Sequence, residues 1–323
     1  RTGGQPWNAK MLMRLSATAA VILSAWRYVI MHSMYRNKLA ISAFVFPTLF
    51  IFTFVVAFPV LQTILRSLYD WNGLLKPTFI GFQNYKDLFH DDAFYTSLKN
   101  GMIFMAIITT YQIGLGSILA FIVNDIRNTK IRNLFKNSYF LPVVISVTVV
   151  CQMWIFMFNS DAGLINRFLK MIGNDYRQNW LNDGKHGIFV MSFVNAWQFM
   201  GYHFIILYSA IKSIPSEIFE AATIDGASPV KRYFHVTIPL LAENYKVCLI
   251  FAITSGLKAF EQMWIMTQGG PGTSAYTLTV MMYQAAFRRY EFGYGCAIAV
   301  ILIIECLLAT VIINKTVARE KYH

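Results

Sequence analysis

The chain has 323 residues, of which 56% are hydrophobic and 14% charged, and its formal net charge is +12. The charged fraction is well below the quarter that is typical of soluble domains, so the composition excludes an ordinary soluble protein and favours one that lies in a lipid bilayer. The surplus of Lys and Arg does not require a nucleic-acid partner, because an unequal charge on the two sides of a membrane accounts for it.

The first segment, residues 1–38, is predicted to be cytoplasmic or interfacial. Its apolar stretch, residues 15–26, has only 12 residues between two arginines, which is too short to cross a bilayer comfortably. We expect an interfacial helix within residues 12–30, with a seventh span or an uncleaved signal-like segment as the alternatives.

Six stretches that are nearly free of charge follow, and each is long enough to cross the ~30 Å hydrocarbon layer as a helix. In chain order they are residues 39–65, 102–124, 137–160, 187–211, 247–267 and 292–314. Only the fifth and sixth carry formal charge, at Lys258, Glu261 and Glu305. Because backbone in lipid must satisfy its own hydrogen bonds, we predict an all-α integral membrane protein with one six-helix domain over residues 39–314 and a tail at 315–323.

The distribution of basic residues predicts the orientation of these spans. Of the 28 Lys and Arg residues, 17 lie on the side that holds both termini and the loop at 212–246, and 10 lie on the other side. Cytoplasmic loops carry the excess of Lys and Arg, so both termini and this loop are predicted to be cytoplasmic.

The chain shows no pattern of an enzyme. It contains no GxxxxGK[ST] phosphate loop, and its six His are scattered along the sequence. The four cysteines lie within predicted spans and show neither a CxxC nor a Cys/His metal spacing. We therefore predict no catalytic residue, no metal site and no cofactor in this chain.

The loop at 212–246 is predicted to fold into two short helices. Pro215 suits the start of a helix over residues 216–224, and Gly226 fits the left-handed residue just past a helix end. Ser228, followed by proline, is an N-cap that opens a second helix, which we expect to stop before Pro239. The product would be a compact knuckle with apolar and charged groups on its surface.

The same loop carries a recognisable signature: Glu-Ala-Ala, three residues, Gly, nine residues, then an aliphatic, any residue, an aliphatic and Pro. It is met by Glu220, Ala221, Ala222, Gly226, Val236, Ile238 and Pro239. In this the chain resembles the permease subunits of binding-protein-dependent ABC importers. Residues 79–85 (FIGFQNY) with Leu88 and Phe89, and residues 268–272 (QGGPG) with Thr277, are similar to segments of the maltose-type carbohydrate permeases.

The resemblance implies a type I ABC importer fold in a bacterial cytoplasmic membrane, in which residues 212–246 form the coupling loop. It implies a second permease subunit, expected to be a paralogue, two ATPase subunits that bind ATP and Mg²⁺, and an extracytoplasmic solute-binding protein that delivers an oligosaccharide. It also implies that Glu220, Ala221 and Gly226 dock the ATPase, with glycine needed for close backbone approach. Ala222, Asp225 and Phe234 are expected to add contact surface there.

Polar and aromatic residues within the spans are candidates for a solute pathway, since sugars present hydroxyls at their edges and CH groups on their faces. They are Asn195, Trp197, Gln198, Tyr202 and His203 in the fourth span, and Lys258, Glu261, Gln262 and Trp264 in the fifth. Lys258 and Glu261 are three residues apart, so they are expected on one helix face, either as a neutralising pair or as pathway groups. For the aromatic residues and His203, packing between helices is the alternative.

Two questions of function stay open in the sequence. The solute is either an anionic oligosaccharide, such as an alginate fragment, which Lys258 would suit, or a neutral maltose-like sugar. The alternative to an ATP-driven importer is a secondary transporter that runs on an ion gradient, for which Glu261 and Glu305 would be the carboxylates.

Overall fold

The structure is a computed structural model that describes residues 38–173, 178–182, 184 and 186–317. The interfacial helix expected within residues 12–30 lies outside the described residues, as do residues 318–323 of the tail. The chain divides into two compact units, residues 1–62 and residues 63–323.

Helices make up nearly all of the described secondary structure. In chain order the elements are α1 (Lys38–Phe52), π1 (Thr53–Ala57), α2 (Phe58–Arg66), β1 (Tyr69–Asp70), β2 (Thr78–Phe79), α3 (Gln83–Leu88), α4 (Asp92–Asp125), α5 (Thr129–Val144), α6 (Val147–Met157), α7 (Leu164–Met171), α8 (Gly187–Ser213), α9 (Ser216–Ile224), α10 (Pro229–Arg232), π2 (Tyr233–Thr237), α11 (Ile238–Leu240), α12 (Ala242–Leu257), α13 (Glu261–Thr267), α14 (Leu278–Tyr283), π3 (Gln284–Arg288) and α15 (Phe292–Thr316). The two short strands pair antiparallel, with Tyr69 opposite Phe79.

Four helical stretches in the described part of the chain are long and apolar enough to cross a membrane unaided. They are Ile41–Arg66, Asp92–Asp125, Gly187–Ser213 and Phe292–Thr316. They confirm the first, second, fourth and sixth predicted spans, although the second begins ten residues earlier than predicted. Two bent helix pairs bring the number of spans to six when each pair counts as one.

The third predicted span is not one straight helix. It consists of α5 and α6, which meet at a bend of 96°. Ile145 and Ser146 are extended between them, after Pro142. Proline removes a backbone donor and disturbs the turn before it, whereas this break follows Pro142, so the proline alone does not account for it. The orphan carbonyl of Ile145 accepts a hydrogen bond from the Gln198 Nε2 of α8 at 3.0 Å.

The fifth predicted span is also interrupted. Its helix α12 ends at Leu257, and α13 begins at Glu261. At the break, the carbonyl of Ala259 accepts hydrogen bonds from the hydroxyls of Thr277 and Thr279. A break inside a span is tolerated when other parts of the protein satisfy the freed backbone groups in this way.

A π turn precedes a proline at two places in the chain. In π1, the Phe58 N–H donates to the Thr53 carbonyl, and Pro59 follows; in π2, the Ile238 N–H donates to the Tyr233 carbonyl, and Pro239 follows. The wider turn accommodates the proline ring without ending the helix. The prediction that the second helix of the coupling loop stops before Pro239 is therefore wrong, since helical structure continues to Leu240.

The core of the second unit is built around the contact of α4 with α8. Phe104 and Ile108 lie in one buried cluster with residues of α6 and α8, and Phe204 and Leu207 lie in another, nearer the coupling loop. Small residues allow close approach between the helices: a Cβ at Gly116 of α4 would lie 3.1 Å from the Phe204 backbone nitrogen of α8, and a side chain at Gly201 of α8 would collide with the Tyr139 carbonyl of α5. This is the way helices associate in lipid, where close packing replaces the hydrophobic effect.

Candidate functional site

The first helix of the coupling loop ends in a glycine corner. After α9, the Ala227 N–H donates to the Ala222 carbonyl at 2.9 Å, and the Gly226 N–H donates to the Thr223 carbonyl at 3.0 Å. Gly226 has φ +75°, a left-handed conformation that side chains with a Cβ rarely adopt. The predicted helix end at Gly226 is confirmed.

The second helix begins as the sequence predicts and is tied to the first. The Ser228 hydroxyl accepts the Lys231 N–H at 3.3 Å, which caps α10. From the far end of α10, the Arg232 guanidinium donates to the Thr223 hydroxyl at 3.1 Å. The two helices therefore hold a fixed angle across the glycine corner.

The residues expected to dock an ATPase lie together on the surface of this knuckle. Glu220, Ala221, Asp225, Gly226 and Phe234 are exposed, and Ala222 is half-buried. Large apolar side chains are exposed beside them, notably Ile224 at 86% and Val230 at 66%. The space where a Cβ of Gly226 would point is open, since apart from its chain neighbours no atom of the described residues lies within 4 Å. This surface suits a partner, because a loop in water rarely exposes so much apolar area for no purpose.

Three hydroxyls fasten the coupling loop to the spans. The Tyr233 hydroxyl lies 2.6 Å from the Ser117 Oγ of α4. The hydroxyl of Tyr245, on α12, contacts the same Ser117 oxygen. Ser117 is 4% exposed, so this contact is shielded from bulk water.

Two further contacts extend the attachment along α4. The Tyr233 ring lies against Phe121 with centroids 4.9 Å apart. Nearer the end of the helix, Arg232 pairs with Asp125 at 3.7 Å. A change in the position of the coupling loop must therefore act on α4.

A cavity of about 310 Å³ lies where the two broken spans meet α8. Polar and apolar groups both line it: two hydroxyls, two amides, two opposite charges and two phenylalanine rings. Its lining residues are Val147, Asn195, Phe199, Phe251, Thr254, Ser255, Lys258, Ala259, Glu261 and Gln262. Four of the nine predicted pathway residues, namely Asn195, Lys258, Glu261 and Gln262, thus share one cavity.

Lys258 and Glu261 do not lie on one continuous helix face. The break after Leu257 separates them, so the expectation drawn from their spacing is wrong. They form no ion pair with each other; in the part of the chain that the structure describes, the ion pairs are Arg232–Asp125, Lys246–Glu243 and Arg289–Glu291. Both charges are exposed at the cavity.

The two amides of the cavity differ in their partners. Asn195 Oδ1 accepts a hydrogen bond from Gln112 Nε2 of α4 at 2.9 Å, which links the cavity wall to that helix. Gln262 is 1% exposed, and its Nε2 makes no hydrogen bond within the described residues. A buried amide without a partner is costly, so a polar group from outside the chain has reason to bind there.

The other five predicted pathway residues do not line this cavity. Trp197 packs edge-on against Trp154, Tyr202 lies against Phe251, and Trp264 contacts Phe260 and Tyr283. Gln198 binds the backbone of the broken third span, and His203 is buried with its Nδ1 3.4 Å from the Phe199 carbonyl. Their contacts are those of residues that pack helices.

Several residues of the site escape reasoning from sequence. Phe199, Phe251, Thr254 and Ser255 look like ordinary span residues, and only the two helix breaks bring them together. Ser117 and Tyr245 gave no signal either, apart from being hydroxyls in apolar runs. These residues come together through the tertiary fold, and no local sequence pattern marks them.

The two other segments that resemble carbohydrate permeases, residues 79–85 and residues 268–272 with Thr277, hold backbone groups in place through hydrogen bonds. Asn84 Nδ2 donates to the carbonyls of Ser67 at 2.8 Å and Tyr69 at 3.0 Å, and the Tyr85 hydroxyl lies 2.7 Å from Ser67 Oγ. The second segment holds the break of the fifth span through Thr277. Both segments satisfy backbone groups where spans end or break.

Comparison with known sequences gives consistent matches. Residues 112–320 match the family described as "Binding-protein-dependent transport system inner membrane component". The chain is 35% identical to "Probable ABC transporter permease protein YurN" of Bacillus subtilis, across 84% of this chain and 94% of that relative. It is 30% identical to "Arabinooligosaccharides transport system permease protein AraP" of the same organism, across 90% and 91% of the two chains.

Among solved structures, the fold resembles a chain in the crystal structure of a bacterial ABC transporter involved in the import of the acidic polysaccharide alginate. The TM-score is 0.76 at 21% identity, and the match covers 90% of this chain and 99% of the other. At this identity, the match shows a shared fold and nothing more.

Proposed function

Because the chain belongs to the family of inner membrane components of binding-protein-dependent transport systems, we propose that it is one of two permeases of an ABC importer for an oligosaccharide. The importer lies in the cytoplasmic membrane of a bacterium, with both termini and the coupling loop of this chain in the cytoplasm. The exposed knuckle around Gly226 is the observation that carries the proposal, since it presents a rigid surface that no other described part of the chain covers.

Two ATPase subunits supply the energy in trans, and they hold the ATP and Mg²⁺. One of them receives the knuckle, with Ile224, Val230 and Phe234 as its apolar contacts and Glu220 and Asp225 as its charged ones. Closure of the ATPases on ATP moves the knuckle, and through it the cytoplasmic ends of the spans. The chain itself is the transport subunit and performs no catalysis.

The cavity is proposed as one half of the solute site. Its volume of about 310 Å³ is at the lower end of ~300–1,000 Å³ for ligand pockets, and its charged residues are exposed. The second permease, which we expect to be a paralogue, completes the site from the open side. A solute-binding protein delivers the sugar from outside.

The lining suits a sugar. Amide and hydroxyl groups of the lining can form hydrogen bonds with sugar hydroxyls; they belong to Asn195, Gln262, Thr254 and Ser255. The rings of Phe199 and Phe251 offer apolar surfaces against which the CH groups of a sugar face can pack. The relative named for arabinooligosaccharides supports the same class. One cation, Lys258, and one carboxylate, Glu261, give the cavity no net charge, so recognition rests on hydrogen bonds to the hydroxyls of the sugar. An anionic solute such as an alginate fragment is a separate prediction, which depends on Lys258.

The ion-gradient alternative finds no support. Glu261 lines the cavity, but Glu305 does not, so the two in-span carboxylates are not brought to one site. Membership of a binding-protein-dependent family argues for energy from ATP.

Reconstitution tests the proposal directly. The complex is purified with its co-purifying subunits, placed in proteoliposomes with its solute-binding protein, and supplied with ATP inside and a radiolabelled oligosaccharide outside. We expect uptake that requires internal ATP and the binding protein. Uptake that persists without ATP and collapses with an ionophore would overturn the proposal in favour of a gradient-driven carrier.

A further inference from the structure

We propose that Ser117, Tyr233 and Tyr245 form a hydroxyl joint through which movement of the coupling loop reaches two spans at once. The inference rests on the proposed function, because it concerns how that function is coupled to ATP. These are positioning residues: none of them lines the cavity or belongs to the exposed docking surface.

The joint braces a bend in the chain. The segment Pro229–Leu240, which includes π2, meets the helical stretch Ala242–Thr267 at an angle of 77°. Tyr233 precedes the bend and Tyr245 follows it, and both hydroxyls meet Ser117 of α4. Helix α4, which is the second span, thus contacts the chain on both sides of the bend. These contacts fix the angle between the coupling loop and the fifth span.

The contacts continue along one face of α4. Ser117, Phe121 and Asp125 follow at intervals of four residues, and each touches Tyr233 or Arg232 of the coupling loop. Residues four apart lie on the same side of a helix. Movement of the loop therefore pushes or pulls a strip of α4 more than one turn long.

The opposite side of this part of α4 is held by the fourth span. A Cβ at Gly116 would lie 3.1 Å from the Phe204 backbone nitrogen and 3.4 Å from the His203 Cβ, so α4 and α8 are already in contact there. Packed interfaces of this kind shift as units and do not deform smoothly. The push on α4 is therefore passed to α8.

Both routes end at the cavity. Along α4, Gln112 lies five residues from Ser117 and binds Asn195 of the cavity wall. Along α12, the helix that carries Tyr245 ends at Leu257, next to Lys258. One joint can thus change two walls of the proposed solute site in a single movement.

The test compares transport with ATP hydrolysis in the reconstituted importer. The variants are Ser117→Ala, Tyr233→Phe, Tyr245→Phe and the double variant Tyr233→Phe/Tyr245→Phe. We expect the complex to assemble with its ATPases and hydrolyse ATP, while the number of solute molecules taken up per ATP falls about five- to tenfold in Ser117→Ala. The double variant should match Ser117→Ala, since both remove the whole joint.

Two controls separate a joint from a general loss of stability. Ser117→Thr keeps the hydroxyl and should restore coupling. Tyr139→Phe removes a phenol hydroxyl that makes no hydrogen bond within the described residues, from a ring in the same cluster of packed residues, and should leave coupling unchanged.

The outcomes are distinct. If the wild-type complex shows no ATP-dependent uptake, the proposed function fails. If the wild type transports and the joint variants keep its ratio of uptake to hydrolysis, the inference alone is overturned. It is also overturned if Ser117→Thr or Tyr139→Phe loses coupling as Ser117→Ala does, because hydroxyl contact would then not be the cause.

Discussion

Two buried glutamines show that the same side chain serves different ends at the residue scale. Gln198 is fully buried and donates to the Ile145 carbonyl, so its amide replaces a hydrogen bond that the broken third span has lost. Gln262 is buried to the same degree, yet its Nε2 has no partner within the described residues and it lines the cavity. One glutamine maintains the fold, and the other is available to a solute.

Gln262→Leu should impair transport without weakening the protein. Leucine fills a similar volume but cannot donate to a sugar hydroxyl, and an unpaired group in such a site costs ~1–3 kcal/mol, or roughly 5- to 150-fold in apparent KM. The measurement is the concentration dependence of uptake, alongside the thermal midpoint of the purified complex. An unchanged KM would remove Gln262 from the solute site.

Gln198→Leu should have the reverse effect. It leaves the Ile145 carbonyl without its donor, which costs about 1 kcal/mol in the free energy of unfolding and lowers the thermal midpoint by roughly 2–4 °C. The ranking of transported sugars should not change. Ser192→Ala is the matched control, since that hydroxyl only bonds back to the Ile188 carbonyl of its own helix. A shift in sugar selectivity with an unchanged midpoint would contradict the structural role.

Gly226→Asn should fold but lose its ATPase. Asparagine tolerates the left-handed conformation at φ +75°, and the position of its Cβ is open among the described residues, so the isolated subunit should be as stable as the wild type. The side chain does enter the space that the proposed partner approaches. We expect loss of the ATPase on co-purification and of uptake.

Gly173→Asn is its control. Gly173 has φ +86° and, among the described residues, equally open surroundings, but it lies beyond α7, in a loop predicted to be on the other side of the membrane. It should retain the ATPase. Retention by Gly226→Asn as well would show that backbone approach at Gly226 is not part of docking.

At the scale of the elements, local chemistry predicted the coupling loop well. The helix start after Pro215, the corner at Gly226 and the cap at Ser228 all follow from side chains within a few positions, and the structure has each of them. The unbroken apolar spans were likewise recognisable, because lipid demands long helices.

The breaks in the third and fifth spans were not predictable in the same way. Composition alone predicts a continuous span through Ile145 and another through Lys258. The breaks depend on hydrogen-bond donors that are distant in the sequence. Gln198 satisfies one orphan carbonyl, and Thr277 and Thr279 satisfy the other. Since the cavity lies at these breaks, its lining was only partly predictable: the charged and amide residues stood out, while Phe199, Phe251 and Ser255 did not.

For the whole molecule, orientation in the membrane is the property that the proposed partners require. The side predicted to be cytoplasmic holds 17 of the 28 basic residues. Two of them, Lys136 and Lys212, place their ammonium groups over the Tyr208 ring, 5.1 Å and 5.9 Å from its centroid. Lysines that lie along an apolar surface and reach a membrane boundary are typical of helix ends.

Cysteine labelling checks this orientation. In a chain whose four cysteines are replaced by alanine, Leu74→Cys should react with a membrane-impermeant maleimide in intact spheroplasts, because its side chain is 89% exposed and predicted to lie outside. Lys130→Cys, also exposed, should react only after the membrane is opened. The opposite pattern would place the coupling loop outside, where no ATPase could reach it.

The two π turns that precede a proline, π1 and π2, have a consequence for how the length of this chain can vary. A π turn holds one residue more than the α-helical turn it replaces, so deleting one residue from Thr53–Ala57 or Tyr233–Thr237 would leave the helix continuous. The five residues of the wider turn and the four of an α-helical turn each complete about one turn, so the chain beyond the deletion would keep nearly its present phase. Within Tyr233–Thr237, such a deletion would leave Pro239 and the fifth span nearly in their present orientation relative to Arg232. Single-residue gaps between homologues at this point would therefore preserve the relative orientation of the docking surface and the fifth span, which marks this turn as a place where the chain can lose a residue without disturbing the coupling.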